Sequence, residues 1–196
     1  QGLDLLAICN GCNLSLSEAK HHLEKDPDLK NRINELLERE GLEYTGKTKV
    51  YHTLDILYDM VGVEKIRSFV KKPLSGLKLA AHYGCHIIRP SDFERPDNPE
   101  DPHKLEDLLK ALGAESPDYP ERLDCCGSSL AIVQGGATLS IAGEKLRAIS
   151  DYGYDGMVVI CPFCMKIFDT RQRAIGVRLG ARSITVPVLY YTQLLG

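Results

Sequence analysis

The spacing of its cysteines constrains this chain more than any other feature. Seven cysteines fall into three groups: Cys9 with Cys12, then Cys85 ahead of the adjacent pair Cys125 and Cys126, then Cys161 with Cys164. An odd count gives poor support for a disulfide framework, and neighbouring cysteines do not bond to each other without backbone strain. Metal ligation or thiol redox chemistry is the use left for so many thiols. The remaining composition is ordinary for a globular protein, 43% hydrophobic and 26% charged. A net charge of −3 leaves no basic stripe for nucleic acid. No apolar run approaches a membrane span. Positions 1–4, Gln-Gly-Leu-Asp, open no secretory signal, so a cytoplasmic setting is expected. The first residue is not Met, which reads as a processed or truncated chain.

Apolar runs and amphipathic stretches alternate along the chain. Residues 3–8 read as a buried strand that ends at Cys9. Helices are expected over 15–25 and 28–40, the second opening at Asp26-Pro27 and stopping at Gly41. A short strand at 49–52 leads into helices at 53–60 and 63–70, divided by Gly62. The strand at 77–83 ends at Gly84-Cys85. Residues 89–102, rich in Pro, Asp and Glu, are expected to be irregular. Helices at 103–112 and 139–152, a strand at 157–160, a helix at 165–179 and a strand at 184–188 with a short helix after it complete the series. The expected fold class is α/β: parallel-sheet strand–helix units in pseudo-repeated halves, with cysteines at the C-terminal ends of strands.

The halves repeat in sequence. LDLLAICNGC at 3–12 parallels GMVVICPFC at 156–164, each an apolar strand running into C-x-x-C. Residues 49–62 parallel 184–196, each a short strand and an apolar helix closing on Gly. The second copy has an upstream portion with Cys85 and Cys125-Cys126; the first has none. Residues 1–70 are therefore expected to be the end of a first repeat without its N-terminal part, and 71–196 a complete second repeat.

A thiol at the C-terminal end of a parallel strand lies where open α/β sheets bind ligands. The N-terminus of a following helix favours the thiolate, the form that binds metal. The second-repeat set is C-x39-C-C-G-x33-C-x2-C. The closing pair grips one centre, whereas adjacent thiolates diverge and suit two irons or two cluster edges. Five thiolates exceed the four of a cubane cluster, which suggests an open cluster. An all-thiolate zinc site on four of the five is the rival, and spacing alone admits both.

Cys85, Cys125-Cys126-Gly127 and Cys161-Pro162-Phe163-Cys164 resemble the motif of the cysteine-rich CCG domain. With CNGC at 9–12, HYGCHIIRP at 82–90, LDCCG at 123–127 and VICPFC at 159–164, essentially the whole chain is similar to the heterodisulfide reductase B subunits. The resemblance implies a non-cubane 4Fe-4S cluster on Cys85, Cys125, Cys126, Cys161 and Cys164. Cys9 and Cys12 become the closing pair of an incomplete second site. It implies an oxidoreductase of methanogenesis that reduces the disulfide CoM-S-S-CoB, with electrons from A-type flavin and C-type iron–sulfur subunits. By the same analogy this chain alone does not complete the reaction. Two other readings stand beside it: a non-catalytic iron–sulfur relay of another CCG-containing dehydrogenase complex, and a zinc-bound structural module.

Other residues are weighed against plainer roles. His82 and His86 are each candidates for a substrate contact or a donor to cluster sulfur; the plainer roles are a packed strand residue for His82 and a turn cap for His86. Lys166 and Arg171 are candidates to neutralise an anionic coenzyme, but surface solvation is the expected role. His21 and His22 are expected to be exposed. Residues 91–102 read as a loop, at a subunit contact or as a plain connector.

Overall fold

In a computed structural model the protein is described over residues 3–180 and 184–195. It is α/β with two parallel sheets. Strand β1 (Leu5–Ala7) pairs with β2 (Val50–His52), and β3 (Leu79–His82), β4 (Gly156–Val159) and β5 (Val188–Tyr190) form a second sheet in that order. The larger sheet is covered on both faces. Met157 and Val159 of β4 face one core with Leu146, Ile149, Phe168 and Ile175. Val158, followed by Ile160, faces the other with Leu105, Leu108 and Ile87. A strand buried on both sides reads as an unbroken apolar run, which is why 157–160 was legible.

The two halves correspond in space. In the first, Ala7 pairs with His52; in the second, Val159 pairs with Tyr190. Each strand passes its chain to a helix that opens on the C-x-x-C. These are α1 (Asn10–Lys25), capped by Cys9, and α8 (Pro162–Thr170), capped by Cys161, with Pro162 preset for the first turn. The phenol of Tyr190 reaches the carbonyls of Ile8 and, at 2.6 Å, Ile160, which tie together the residues before Cys9 and Cys161. Gly196, the expected match of Gly62, lies outside the described residues.

Four local expectations are corrected. The strand at 3–8 is not buried: Leu3, Leu5, Leu6 and Ile8 are exposed, and only Ala7 of β1 is covered. Helix α1 begins at Asn10 rather than 15, because the Cys9 carbonyl already accepts the Asn13 N–H at 2.9 Å. The helix at 165–179 is broken at Arg171 into α8 and a further helix, Gln172–Arg178. Just after the break the Gln172 side chain clasps both backbone groups of Val186 at 2.7 and 2.9 Å. The same clasp withdraws Val186 from the ladder, so β5 starts at Val188 instead of spanning 184–188.

His52 gives the fold a pH limit. Its backbone N–H donates to Asp55 at 2.7 Å, and its Nδ1 accepts from the Leu54 N–H at 3.1 Å, a reciprocal cap. Burial, and then the charge of Arg95, pull its pKa down to about 4. A base depressed on folding binds its proton more readily unfolded, so stability is lost as pH falls from about 6.5 through 4. The full loss is about 3 kcal/mol. Urea unfolding at pH 7 and 4.5 checks this: His52→Asn, which keeps a capping acceptor, is expected to lose markedly less than the parent between the two.

Candidate cysteine-lined metal centre

Three segments deliver Cys85, Cys125, Cys126, Cys161 and Cys164. Beyond β3 the chain turns through Gly84, at φ +75°, and Cys85 opens a one-turn helix. The loop 121–127 brings Cys125 and Cys126 and leaves through Gly127, also at φ +75°. Cys161 and Cys164 lie at the N-terminus of α8. Both glycines occupy backbone that other residues enter only at a cost.

The sulfurs form a chain of neighbours. Cys85 Sγ is 3.7 Å from Cys125 Sγ, and Cys164 Sγ is 3.4 Å from Cys126 Sγ. Cys125 also accepts the Gly127 N–H at 3.2 Å. Hydrogen bonds from Cys126 and Cys85, aided by that N–H, hold its thiol down at about 2 despite burial. Cys161 falls to about 5, chiefly through the Cys164 thiol, helped by the N–H groups of Cys164, Asn10 and Phe163. Their donors move the other way: the bond to Cys125 pushes Cys85 up, and the bond to Cys126 pushes Cys164 up. Thiolate character thus falls on Cys125 and Cys161, while their donors keep their protons.

Ligands sharing one metal at about 2.3 Å lie about 3.8 Å apart. The two sulfur pairs are spaced near that edge length. Yet among the described residues no three His, Cys, Asp or Glu side chains group around one ion. Cys85, Cys126, Cys161 and Cys164 line a cavity of about 200 Å³, together with His86 and the exposed Phe163. A wider depression of about 520 Å³ over Glu106 and Arg122 holds no thiol.

Other expected residues are divided. His86 lines the cysteine cavity, and its carbonyl accepts from Arg95 Nη2 at 2.5 Å. His82 is fully buried and edge-on to Phe168 at 4.8 Å, with neither ring nitrogen hydrogen-bonded. Burial, then the charge of Lys145, lowers its pKa well below the usual value. Lys166 and Arg171 are exposed. His22 is exposed, but His21 is half-buried against Phe93 at 4.9 Å, a correction caused by the 91–102 loop folding over α1. That loop is organised by Asp97, which accepts the N–H groups of His103 and Lys104 at 3.0 and 2.8 Å. Cys9 is buried and its pKa is raised by burial; Cys12 is exposed.

Two residues escaped sequence reasoning. Asn10 is buried and donates to the Tyr83 carbonyl at 2.5 Å, fixing the first C-x-x-C to the Cys85 turn. Lys145 is 1% exposed in helix α7 (Gly135–Asp151). Its ammonium donates to the carbonyls of Glu121, Arg122 and Asp124 at 2.7, 2.9 and 3.3 Å. Burial draws its pKa down to about 7, against the pull of Asp124, Cys164 and Cys126. A signal existed: Ala142, Leu146 and Ile149 mark the buried stripe of α7, and position 145 lies within it.

The cysteine-rich CCG domain family matches residues 79–169. Over its full length the chain is 41% identical to the B subunit of a ferredoxin/F420H2-dependent CoB-CoM heterodisulfide reductase of Methanosarcina acetivorans, covering 65% of that protein. A protein of Archaeoglobus profundus described as like the heterodisulfide reductase B subunit is 33% identical, with 66% covered. The membrane anchor subunit of the 8-methylmenaquinol:fumarate reductase of Wolinella succinogenes is 31% identical, again with 66% covered. The chain thus spans about two thirds of its curated relatives' length. A crystal structure of a hypothetical protein from Helicobacter pylori superposes on all of this chain and 34% of its own, at a TM-score of 0.72 and 15% identity, a likeness of fold. No helix among the described residues is long and apolar enough to cross a membrane.

Proposed function

Because the chain belongs to the cysteine-rich CCG domain family, in its heterodisulfide reductase B-like branch, we propose that it holds a non-cubane 4Fe-4S cluster on Cys85, Cys125, Cys126, Cys161 and Cys164. The paired sulfurs, four of the five thiols lining one cavity, carry this reading. The donor set fits: it is all-thiolate, with two positions already biased to thiolate. A cluster held there supplies one-electron transfer to sulfur. The chain's own residues keep the thiolates in place, offer N–H groups to sulfur, and leave an opening flanked by His86 and Phe163. Residues 71–196 form one repeat with its five cysteines, and Cys9 with Cys12 are the closing pair of a second site.

The proposed reaction is reduction of a disulfide of the CoM-S-S-CoB type, the substrate in the names of the methanogen relatives. Electrons come from partner subunits of flavin and iron–sulfur type. A fumarate reductase subunit among the relatives favours a second reading, an electron relay within another reductase complex. Anaerobic reconstitution followed by iron and acid-labile sulfide analysis tests the centre. About four irons per chain, lost in Cys126→Ser, is the expected result. Stoichiometric zinc that persists under iron reconstitution would replace it with a structural metal module. Disulfide reduction by the loaded chain with its partners separates catalyst from relay.

A further inference from the structure

Lys145 is a buried cation placed where the site needs one. Its ammonium sits beneath the loop that ends in Cys125 and Cys126, and it is bound only to main-chain carbonyls and over the ring of Tyr119 at 5.5 Å. Three acceptors and no donor around one nitrogen require three N–H bonds, which an ammonium has and a neutral amine lacks. Burying such a charge is unfavourable unless an opposite charge lies near. The Asp124 carboxylate is one, but that residue is exposed and solvent screens it. The buried thiols of Cys126 and Cys164 interact with Lys145, as does the half-buried Glu121, whose Oε2 has no hydrogen-bond partner. His82, also beside Lys145, is neutral and supplies no compensation.

We propose that Lys145 is the internal counter-cation of the metal centre: it fastens the Cys125–Cys126 loop through three carbonyls and stabilises the more reduced, more negative state of the bound cluster. This rests on the iron–sulfur reading above. Lys145 is a positioning residue, since it acts through carbonyls and charge and touches no ligand sulfur. In low dielectric a fixed positive charge favours the added electron, so removing it shifts the midpoint potential in the negative direction.

The test is a potentiometric titration of the anaerobically loaded chain, followed by EPR, for the parent, Lys145→Met, Lys145→Gln and Lys145→Arg. Met and Gln are expected to weaken reduction about tenfold or more, at least 59 mV negative for a one-electron step. Arg is expected to stay near the parent value. Met and Gln proteins with full iron and the parent potential would overturn the proposal. If Met and Gln fail to load iron while Arg loads, the charge requirement stands. If Arg fails as well, Lys145 has a packing role and the proposal is wrong. A parent chain that takes up no iron would instead remove the iron–sulfur reading beneath it.

Discussion

Phe168→Ala is expected to cost the fold about 3–5 kcal/mol, the range for deleting a fully buried aromatic ring. The ring has no exposed surface and lies in the core between β4 and helix α7. Two features place this site at the upper end. Phe168 stands edge-on to His82, with the rings 79° apart, and His82 has no hydrogen bond to hold it once the ring is gone. Phe168 also lies one turn beyond Cys164 on the helix that presents two of the five thiols. Urea unfolding of the metal-free chain measures the first effect, and Phe168→Leu, which keeps most of the volume, serves as the milder control. Iron uptake after reconstitution measures the second and is expected to fall in the alanine variant. A loss below about 1.5 kcal/mol would mean that the core closes around the gap and α8 does not rest on this ring.

How far the sequence foretold this molecule depends on what each signal encodes. Strand β4 was legible because both of its faces are covered, which leaves an unbroken apolar run. The same kind of run at residues 3–8 misled, because burial depends on what covers a strand's faces, and Leu5 and Leu6 of β1 are left uncovered. The division of the 165–179 helix at Arg171 was invisible in its apolar pattern, as was the reach of Gln172 to Val186 fourteen positions away. The cysteines were legible as a set because a thiol pattern is chemically specific. Their order in space, Cys85 to Cys125 and Cys126 to Cys164, was not, since it depends on how the 121–127 loop folds. Lys145 was hidden by its type: a lysine on a helix is expected in solvent, and only its place in the apolar stripe betrayed it.

Gly84→Ala is expected to remove most of the iron capacity of the chain, although it adds one methyl group. The residue sits at φ +75°, where any L side chain is strained by about 1–2 kcal/mol. Space is the greater difficulty. A Cβ there would lie 3.0 Å from Cys164 Sγ and 3.0 Å from Asn10 Nδ2, with His82 Nε2 at 3.6 Å. None of these can retreat freely. Asn10 is held by the Tyr83 carbonyl, His82 is fully buried, and Cys164 is paired with Cys126 in the sulfur row. The sulfur must therefore shift, and ligation by five thiolates at fixed spacing tolerates little displacement. Gly113→Ala is the control: it has φ +87° and a Cβ 3.0 Å from Pro73, far in the fold from any cysteine. Both variants are expected to lose comparable stability in urea, but only Gly84→Ala should lose iron and sulfide after anaerobic reconstitution. Equal iron in the two would mean that Cys164 moves aside without leaving the centre, and that the turn before Cys85 needs glycine for its backbone alone.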